Sequence, residues 1–385
     1  MMFVAVSGGK LSPGDVRCWC VSAPAQPPGS TLGSPSGGGD QSTVPLGPTL
    51  APQLAEATNG RLGPVRWFRS DWQRGGGSTG FSTYQTDDGA KVDVVVKIPV
   101  GYQEWKWTSA LGNPANCPPG GGSGSPGGCD CPTPKCFAGG IELCGYDLGW
   151  LVIEKLPGTP IAGKLSPESL RDLFAATALF HQRAGLIEPV SPAPPPPPWD
   201  DLVSKSRETL DHHAIPDEQR WRSLLTEMNL AMPRLMRMWA LRSIDTWCHG
   251  DLHPGNAMRR KAASTASTAP AQTGADAGSN EQADLPTCVL IDLALVHAGS
   301  WIEDAIYFER VHWGHEAMLR GVSPLEELAE ARRKLGLPTG RDYAALADAR
   351  RLLMAACAPA FIEREGNAKY MRAALEMAED LIGRA

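Results

Sequence analysis

The 385-residue chain lacks an apolar run long enough to cross a bilayer and a surplus of positive charge. A membrane-spanning helix needs roughly 20 apolar residues in succession, and no stretch approaches that length. Lys and Arg number 36 against 42 Asp and Glu, for a net charge of -6. No cationic excess is left to neutralise a phosphate backbone, which argues against a general nucleic-acid binder. The apolar stretch of MMFVAVSGGK is too short for a secretory signal, so the context reads as cytoplasmic. In that setting the ten cysteines are expected as thiols rather than disulfides.

What is present is unevenly spread. Residues 1–60 are rich in Gly, Pro and Ser, as in SAPAQPPGSTLGSPSGGGDQS. Such a segment cannot bury enough apolar surface to offset its ordering entropy, and a disordered tail is expected. From residue 61 the pattern turns to strands. VDVVVKIPV is β-branched and apolar with one Lys inside it, and Asp88-Gly89 before it is a hairpin signal. EWKWTSAL, starting at Glu104, suits a short helix, and a Gly-, Pro- and Cys-rich insertion fills 112–136. Its Cys129, Cys131 and Cys136, with Cys144 beyond, lack the paired C-x₂₋₄-C spacing of a zinc site, so a loose insertion is expected. GGIELCGYDLGWLVIEKLPG then reads as two more strands with a turn near Asp147.

After residue 157 the chain turns helical. LSPESLRDLFAATALFHQRAG has Ser166 as N-cap, Pro167 at the first helical position and Gly185 as the stop. Leu170, Leu173, Phe174, Ala178 and His181 share one helical face. PVSPAPPPPPW is a polyproline connector. Helical patterns return over 200–243, 302–335 and 341–384, and a second low-complexity insertion covers 261–286. A small sheet followed by a larger helical part predicts an α+β fold with two lobes.

One stretch, CHGDLHPGNAM (Cys248 to Met258), gathers chemistry that the rest of the chain completes. Phosphoryl transfer needs a carboxylate to accept the proton of the attacking hydroxyl, oxygen ligands for Mg²⁺, a Lys on the α- and β-phosphates, and a Gly-rich turn over them. Each part is present in the chain order of protein kinases: GGGSTG from Gly75 to Gly80, Lys97 on the next strand, His249-x-Asp251-Leu252-x-x-x-Asn256, and Asp292 at the end of an apolar strand.

These residues resemble the aminoglycoside phosphotransferase and choline kinase family, which has a bilobal protein-kinase-like fold. HGDLHPGN followed by an Ile-Asp strand end is typical of it; Leu151–Gly158, LVIEKLPG, looks like its hinge, and Leu179–Gly185, LFHQRAG, resembles its Leu-His pattern. The resemblance runs from about residue 64 to the C-terminus, insertions excluded. It implies a small antiparallel-sheet, nucleotide-binding N-lobe over 61–157. A larger, mostly helical C-lobe over 158–385 would hold the catalytic and acceptor groups. It further implies ATP and Mg²⁺ as cofactors and a small-molecule hydroxyl as acceptor. Asp251 would be the general base, and Asn256 and Asp292 the Mg²⁺ ligands. Gly77, Ser78, Thr79 and Gly80 would cover the phosphates, Lys97 would contact them and pair with Glu104 if the helix of Glu104 faces that way, and Glu154 and Leu156 would offer backbone groups to adenine. His249 would brace the loop.

Two features depart from the family. Asp292 is followed by Leu293-Ala294 where Phe or Trp, then Gly or Glu, is usual, and Asp304 in GSWIEDAIYFER stands for the family's Asp-Leu-Ala helix start. Seven acids between Trp301 and Glu330 (Glu303, Asp304, Glu309, Glu316, Glu326, Glu327, Glu330) against Arg310 and Arg320 raise an acidic acceptor face. Such a face would favour an amine-bearing acceptor such as an aminoglycoside, choline or an amino sugar, although a solvated helix surface accounts for the same run. Other readings stay open at this point: a non-catalytic nucleotide-binding or interaction module, a scaffold acting through the Pro- and Gly-rich segments, and a kinase acting on protein Ser or Thr. For the last, no A-P-E segment follows Asp292.

Overall fold

The computed structural model describes residues 46–68, 77–116, 131–163, 165–190, 198–260, 288–362 and 367–384. The insertion expected over 261–286, residues 1–45 of the tail, Gly75, Gly76, Cys117 and Cys129, and most of the polyproline connector lie outside them.

Strand alternation builds the first lobe. Lys91–Val100 (β3) turns Val94, Val96 and Ile98 into an apolar core and Lys97 to the opposite face. It pairs in full with Ser78–Gln85 (β2) through the expected hairpin, where Gly89 takes φ +83°. Arg66–Phe68 (β1), β2, β3, Gly149–Glu154 (β5) and Cys136–Gly140 (β4) form, in that order, a five-stranded antiparallel sheet.

Three boundaries differ from expectation. Leu46–Ala57 is a helix (α1) where a disordered tail was expected to continue to residue 60. Leu50 and Leu54, one turn apart, pack on the sheet, and Gly47 N–H donates to Ser78 Oγ at 3.0 Å. A Gly- and Pro-rich average concealed this short apolar stripe. The strand before the Asp147 turn begins at Cys136, at the end of the expected insertion. The residues just before it, 131–134, are buried, and Cys131 is disulfide-bonded, against the expectation of thiols; Cys136, Cys144, Cys248, Cys288 and Cys357 are free.

Helices make the second lobe. Pro167–Ile187 (α3) starts with a capping box between Ser166 and Ser169, and Leu170, Leu173, Phe174, Ala178 and His181 are all buried as expected. It runs two residues past Gly185, so Gly185 is not its stop. Trp199–His212 (α4), Glu218–Ala240 (α5), Ile302–Arg310 (α6), Pro324–Lys334 (α7), Tyr343–Ala356 (α8) and Ala368–Ile382 (α9) complete it. Tyr102–Leu111 (α2) joins the lobes: its Trp107 is fully buried in the helical core, with ring centroid 4.9 Å from that of Trp247. The fold is therefore α+β, a small antiparallel sheet ahead of a larger helical part. No described helix is long and apolar enough to cross a membrane.

Candidate active site

Two short ribbons bring the motif residues together. Thr246–Cys248 (β6) pairs with His297–Gly299 (β9), and Ala257–Arg259 (β7) with Cys288–Leu290 (β8). The loop from Cys248 to Asn256 thus lies beside the turn from Ile291 to Val296. Gly250 fits this approach by lacking a side chain. It takes φ +81°, and a Cβ there would meet the Leu295 carbonyl oxygen at 2.2 Å.

Asp251 is only 4 % exposed and is gripped at both oxygens. Asn256 Nδ2 donates to its Oδ2 and to its main-chain carbonyl, each at 3.0 Å. Tyr307, from α6, donates its hydroxyl to Oδ1 at 2.6 Å. Because the Asn256 amide nitrogen faces Asp251, its carbonyl oxygen is the atom left to face a cation. Its neighbour His253 accepts from Gly255 N–H at Nδ1, 3.0 Å, while Nε2 stands 3.8 Å from Asp251 Oδ2. Burial holds His253 below its ordinary pKa even with Asp251 close by, so it is neutral at pH 7.

A buried layer supports the loop. Asp304, 1 % exposed, accepts from His249 N–H at 2.8 Å and Gly250 N–H at 2.9 Å. His181 Nε2 bonds it at 3.0 Å, and Arg332 donates to His181 Nδ1 at 3.0 Å. Arg332 must donate, so His181 carries its proton on Nε2. Burial pushes His181 down and Arg332 to about 10, whereas Asp304, despite burial, is held low by His181 and the loop amides. His249, fully buried, bonds the Ile291 carbonyl through Nε2 at 3.1 Å and accepts from Asp251 N–H. It braces the loop, as the resemblance implied.

The other half of the cleft comes from the sheet. Lys97 pairs with Glu104 on the first turn of α2, which answers which way that helix faces: Trp107 turns into the core, and Glu104 turns to Lys97. Burial works to lower the Lys97 pKa, but Glu104 and Asp292 outweigh it and raise it. Asp292 is exposed, with φ +63°, and its charge also acts on His253. It therefore stands between the Lys97 and Asp251 sides. Leu293, in place of the family's aromatic, is 1 % exposed and keeps the apolar packing under the turn.

Other expected residues take different places. Ser78, Thr79 and Gly80 belong to β2 rather than to a loop. The Ser78 hydroxyl accepts from Gly47 N–H, and Gly80 makes room for β1: a Cβ there would meet Val65 Cγ1 at 2.4 Å. Of these four, Gly77 alone precedes the strand and has open space around it. The Glu154 N–H is taken by the Lys135 carbonyl at 2.8 Å, and Leu156 follows with its side chain buried.

The acids of 303–330 are buried or already partnered within the chain, Glu316 by the Gly314 N–H. Glu303 and Asp304 are buried; Glu309 pairs with Arg351, Glu330 with Arg333 and Glu327 with Arg171, and Glu326 accepts from the Tyr343 hydroxyl. They lend no support to an amine-bearing acceptor.

Sequence reasoning missed Tyr307 and Arg260. Arg260 donates to the Cys131 and Thr133 carbonyls at 3.1 and 3.0 Å and to Glu154 at 2.9 Å, tying the end of β7 to the end of β5. Tyr307 had one signal, its place three residues after Asp304 on the same helical face.

Residues 125–266 match the model of the APH phosphotransferase enzyme family. The match holds the hinge and the whole of HGDLHPGN, so the phosphotransferase resemblance is borne out there. Solved structures of similar arrangement include an aminoglycoside phosphotransferase of Alicyclobacillus acidocaldarius subsp. acidocaldarius DSM 446. It is 12% identical, the likeness covering 84% of this chain and 91% of that one, with TM-score 0.49. Another is the choline kinase LicA of Streptococcus pneumoniae, 12% identical, covering 88% of this chain and 100% of that one, with TM-score 0.42. Likenesses of this order carry no argument about substrate. Among curated proteins none matches the chain.

Proposed function

We propose that this chain transfers the γ-phosphate of ATP to a hydroxyl of a small molecule. The observation that carries the reading is the state of Asp251: a buried carboxylate whose orientation is set from both sides, beside His253, on which the charge of Asp292 also acts. A general base for an acceptor hydroxyl needs that fixed geometry more than it needs an unusual pKa. Lys97, kept charged by Glu104 and Asp292, binds the phosphates and steadies the charge that spreads over them. Asn256 Oδ1 and the exposed Asp292 carboxylate are hard oxygen donors. They suit Mg²⁺, which takes one or two protein oxygens and completes its shell from phosphates and water. Among the described residues no group of three or more His, Cys, Asp or Glu forms a metal cage, and this mode needs none. When bound, Mg²⁺ held by Asn256 and Asp292 would supply positive charge to offset that of the phosphates.

The test is Mg²⁺-dependent ADP release from ATP by the purified protein, with aminoglycosides, choline, ethanolamine, homoserine, amino sugars and simple sugars as acceptors. Turnover with one class is expected, falling by about 10³-fold or more in Asp251→Ala. ADP release that is unchanged in that variant would remove Asp251 as the base. Magnesium-nucleotide binding with no transfer to any acceptor would count for a protein target or a binding module.

A further inference from the structure

We propose that Tyr307 is a positioning residue for Asp251, fixing the plane of the carboxylate and so the direction from which an acceptor hydroxyl approaches it. The inference rests on the phosphotransfer reading and adds to it a residue that HGDLHPGN does not contain.

Three observations carry it. The contact is short and dry: the Tyr307 hydroxyl lies 2.6 Å from Asp251 Oδ1, and the two residues are 6 % and 4 % exposed. An O–H donated to a carboxylate at that distance is a charge-assisted bond, about twice as strong as a neutral one. The contact is also built from the same helix face that holds the loop. Asp304 and Tyr307 are three residues apart on α6; Asp304 takes the amides of His249 and Gly250, and Tyr307 takes the side chain of Asp251. One rigid element therefore sets the loop backbone and its carboxylate together.

The third observation is that Asn256 cannot do this alone. Its Nδ2 holds Oδ2 and the main-chain carbonyl of the same residue, a grip on one side of the group. The terminal torsion of an Asp side chain is broad, so a carboxylate held by one oxygen swings about its Cβ–Cγ bond. His253 gives no second hold, since 3.8 Å is beyond hydrogen-bond range. The phenol on Oδ1 stops the swing. An acceptor hydroxyl must donate to the carboxylate in the orientation so fixed, and Tyr307 sets that orientation from the Oδ1 side.

The test uses Tyr307→Phe, which keeps the ring and removes the donor. Because the acceptor is unidentified, turnover is read as acceptor-independent Mg²⁺-ATP hydrolysis, water standing in for the hydroxyl. The expected result is a fall in kcat of about 10- to 100-fold, the scale of a small misplacement of a reacting group. KM for Mg²⁺-ATP should stay within about 2-fold, because Tyr307 touches the base and no expected nucleotide residue. A second measurement needs no turnover. In protein labelled with ¹³C at the tyrosine Cζ, the resonance missing from Tyr307→Phe belongs to Tyr307. It should shift in Asp251→Asn, where the phenol faces an amide instead of a carboxylate. A Tyr307 resonance unmoved by Asp251→Asn overturns the proposal even if hydrolysis is intact. So does a shifted resonance with wild-type kcat in Tyr307→Phe. Wild-type hydrolysis no faster than that of Asp251→Ala would instead remove the phosphotransfer reading, and this proposal with it.

Discussion

Two carboxylates of the candidate site are held in opposite ways. Asp251 sits in a loop whose amides, carboxylate and flanking His are bonded to buried groups: Asp304, Asn256, Tyr307 and the Ile291 carbonyl. Asp292 sits in an exposed turn with left-handed backbone, and its clearest relation is electrostatic, to Lys97 and His253. A base that must meet a hydroxyl at one angle gains from being locked before substrate arrives. A ligand for a hydrated cation loses little by waiting in solvent, because phosphates and water complete the shell. The left-handed backbone costs on the order of 1–2 kcal/mol for an ordinary residue and less for Asp, whose short polar side chain tolerates it. The contrast is thus between a group prepared by the fold and a group prepared for a ligand.

The sharpest break of that contrast pairs Asp251→Ala with Asp292→Asn. Asn keeps the tolerance for left-handed backbone while removing the charge. Asp251→Ala is expected to lose turnover by about 10³-fold or more while Mg²⁺-ATP affinity stays within a few-fold. Asp292→Asn should weaken Mg²⁺-ATP binding itself, by about 10²-fold, because it withdraws a cation ligand and a charge that holds up Lys97. Isothermal titration with a non-hydrolysed ATP analogue separates the two. Equal loss of affinity in both variants would sink the division of roles.

Gly250→Ala breaks the loop and the turn together. The new Cβ would stand 2.2 Å from the Leu295 carbonyl oxygen, at a φ of +81° that side chains resist. Loop and turn must separate, so turnover and nucleotide affinity should fall in one variant, with a stability loss of about 2–4 kcal/mol in urea unfolding. A variant that loses turnover alone would mean that the two regions are not coupled through this contact.

How far the sequence reached follows from the same contrast. Lys97, Glu104, Asp251, Asn256 and Asp292 could be singled out from the sequence because Asp251 and Asn256 share one short motif, Asp292 follows an apolar strand, and Lys97 and Glu104 lie on a β-branched strand and the short helix after it. Of the Gly-rich stretch, Gly75 and Gly76 lie outside the described residues, and Gly80 answers the approach of Val65 and Trp67, a packing demand that its sequence neighbours do not announce. α1 was hidden by the composition around it. The supports of Asp251 were out of reach for another reason. Tyr307 is 56 residues from Asp251, Asp304 is 123 from His181, and Arg260 is 129 from Cys131. Their contacts exist only once helices and ribbons are packed, and a locked base depends on such contacts more than an exposed ligand does.

The smallest expected effect probes the floor of the locked region by pH. Glu303 lies under the loop, accepting from Ser300 N–H and Arg242 Nε, with Arg350 at 3.5 Å and His297 at 3.8 Å. Burial would raise its pKa, but Arg350, His297 and Arg242 outweigh burial and hold it at about 2, against an ordinary 4.5. A depressed carboxylate contributes stability that is complete above pH 4.5 and is lost as pH falls toward 2; the scale here is about 3 kcal/mol. His297 has the opposite sign. Glu303 raises it above its ordinary 6.5 in spite of burial, so its contribution is complete below 6.5 and is lost as pH rises through the higher folded value. Glu303→Gln removes both. The stability gap between wild type and Glu303→Gln, read from urea midpoints, should therefore be widest between about pH 4.5 and 6.5 and narrow on either side. A gap that stays level from pH 4 to pH 9 would mean that Glu303 holds the loop floor by shape alone, and that charge has no part in locking the base.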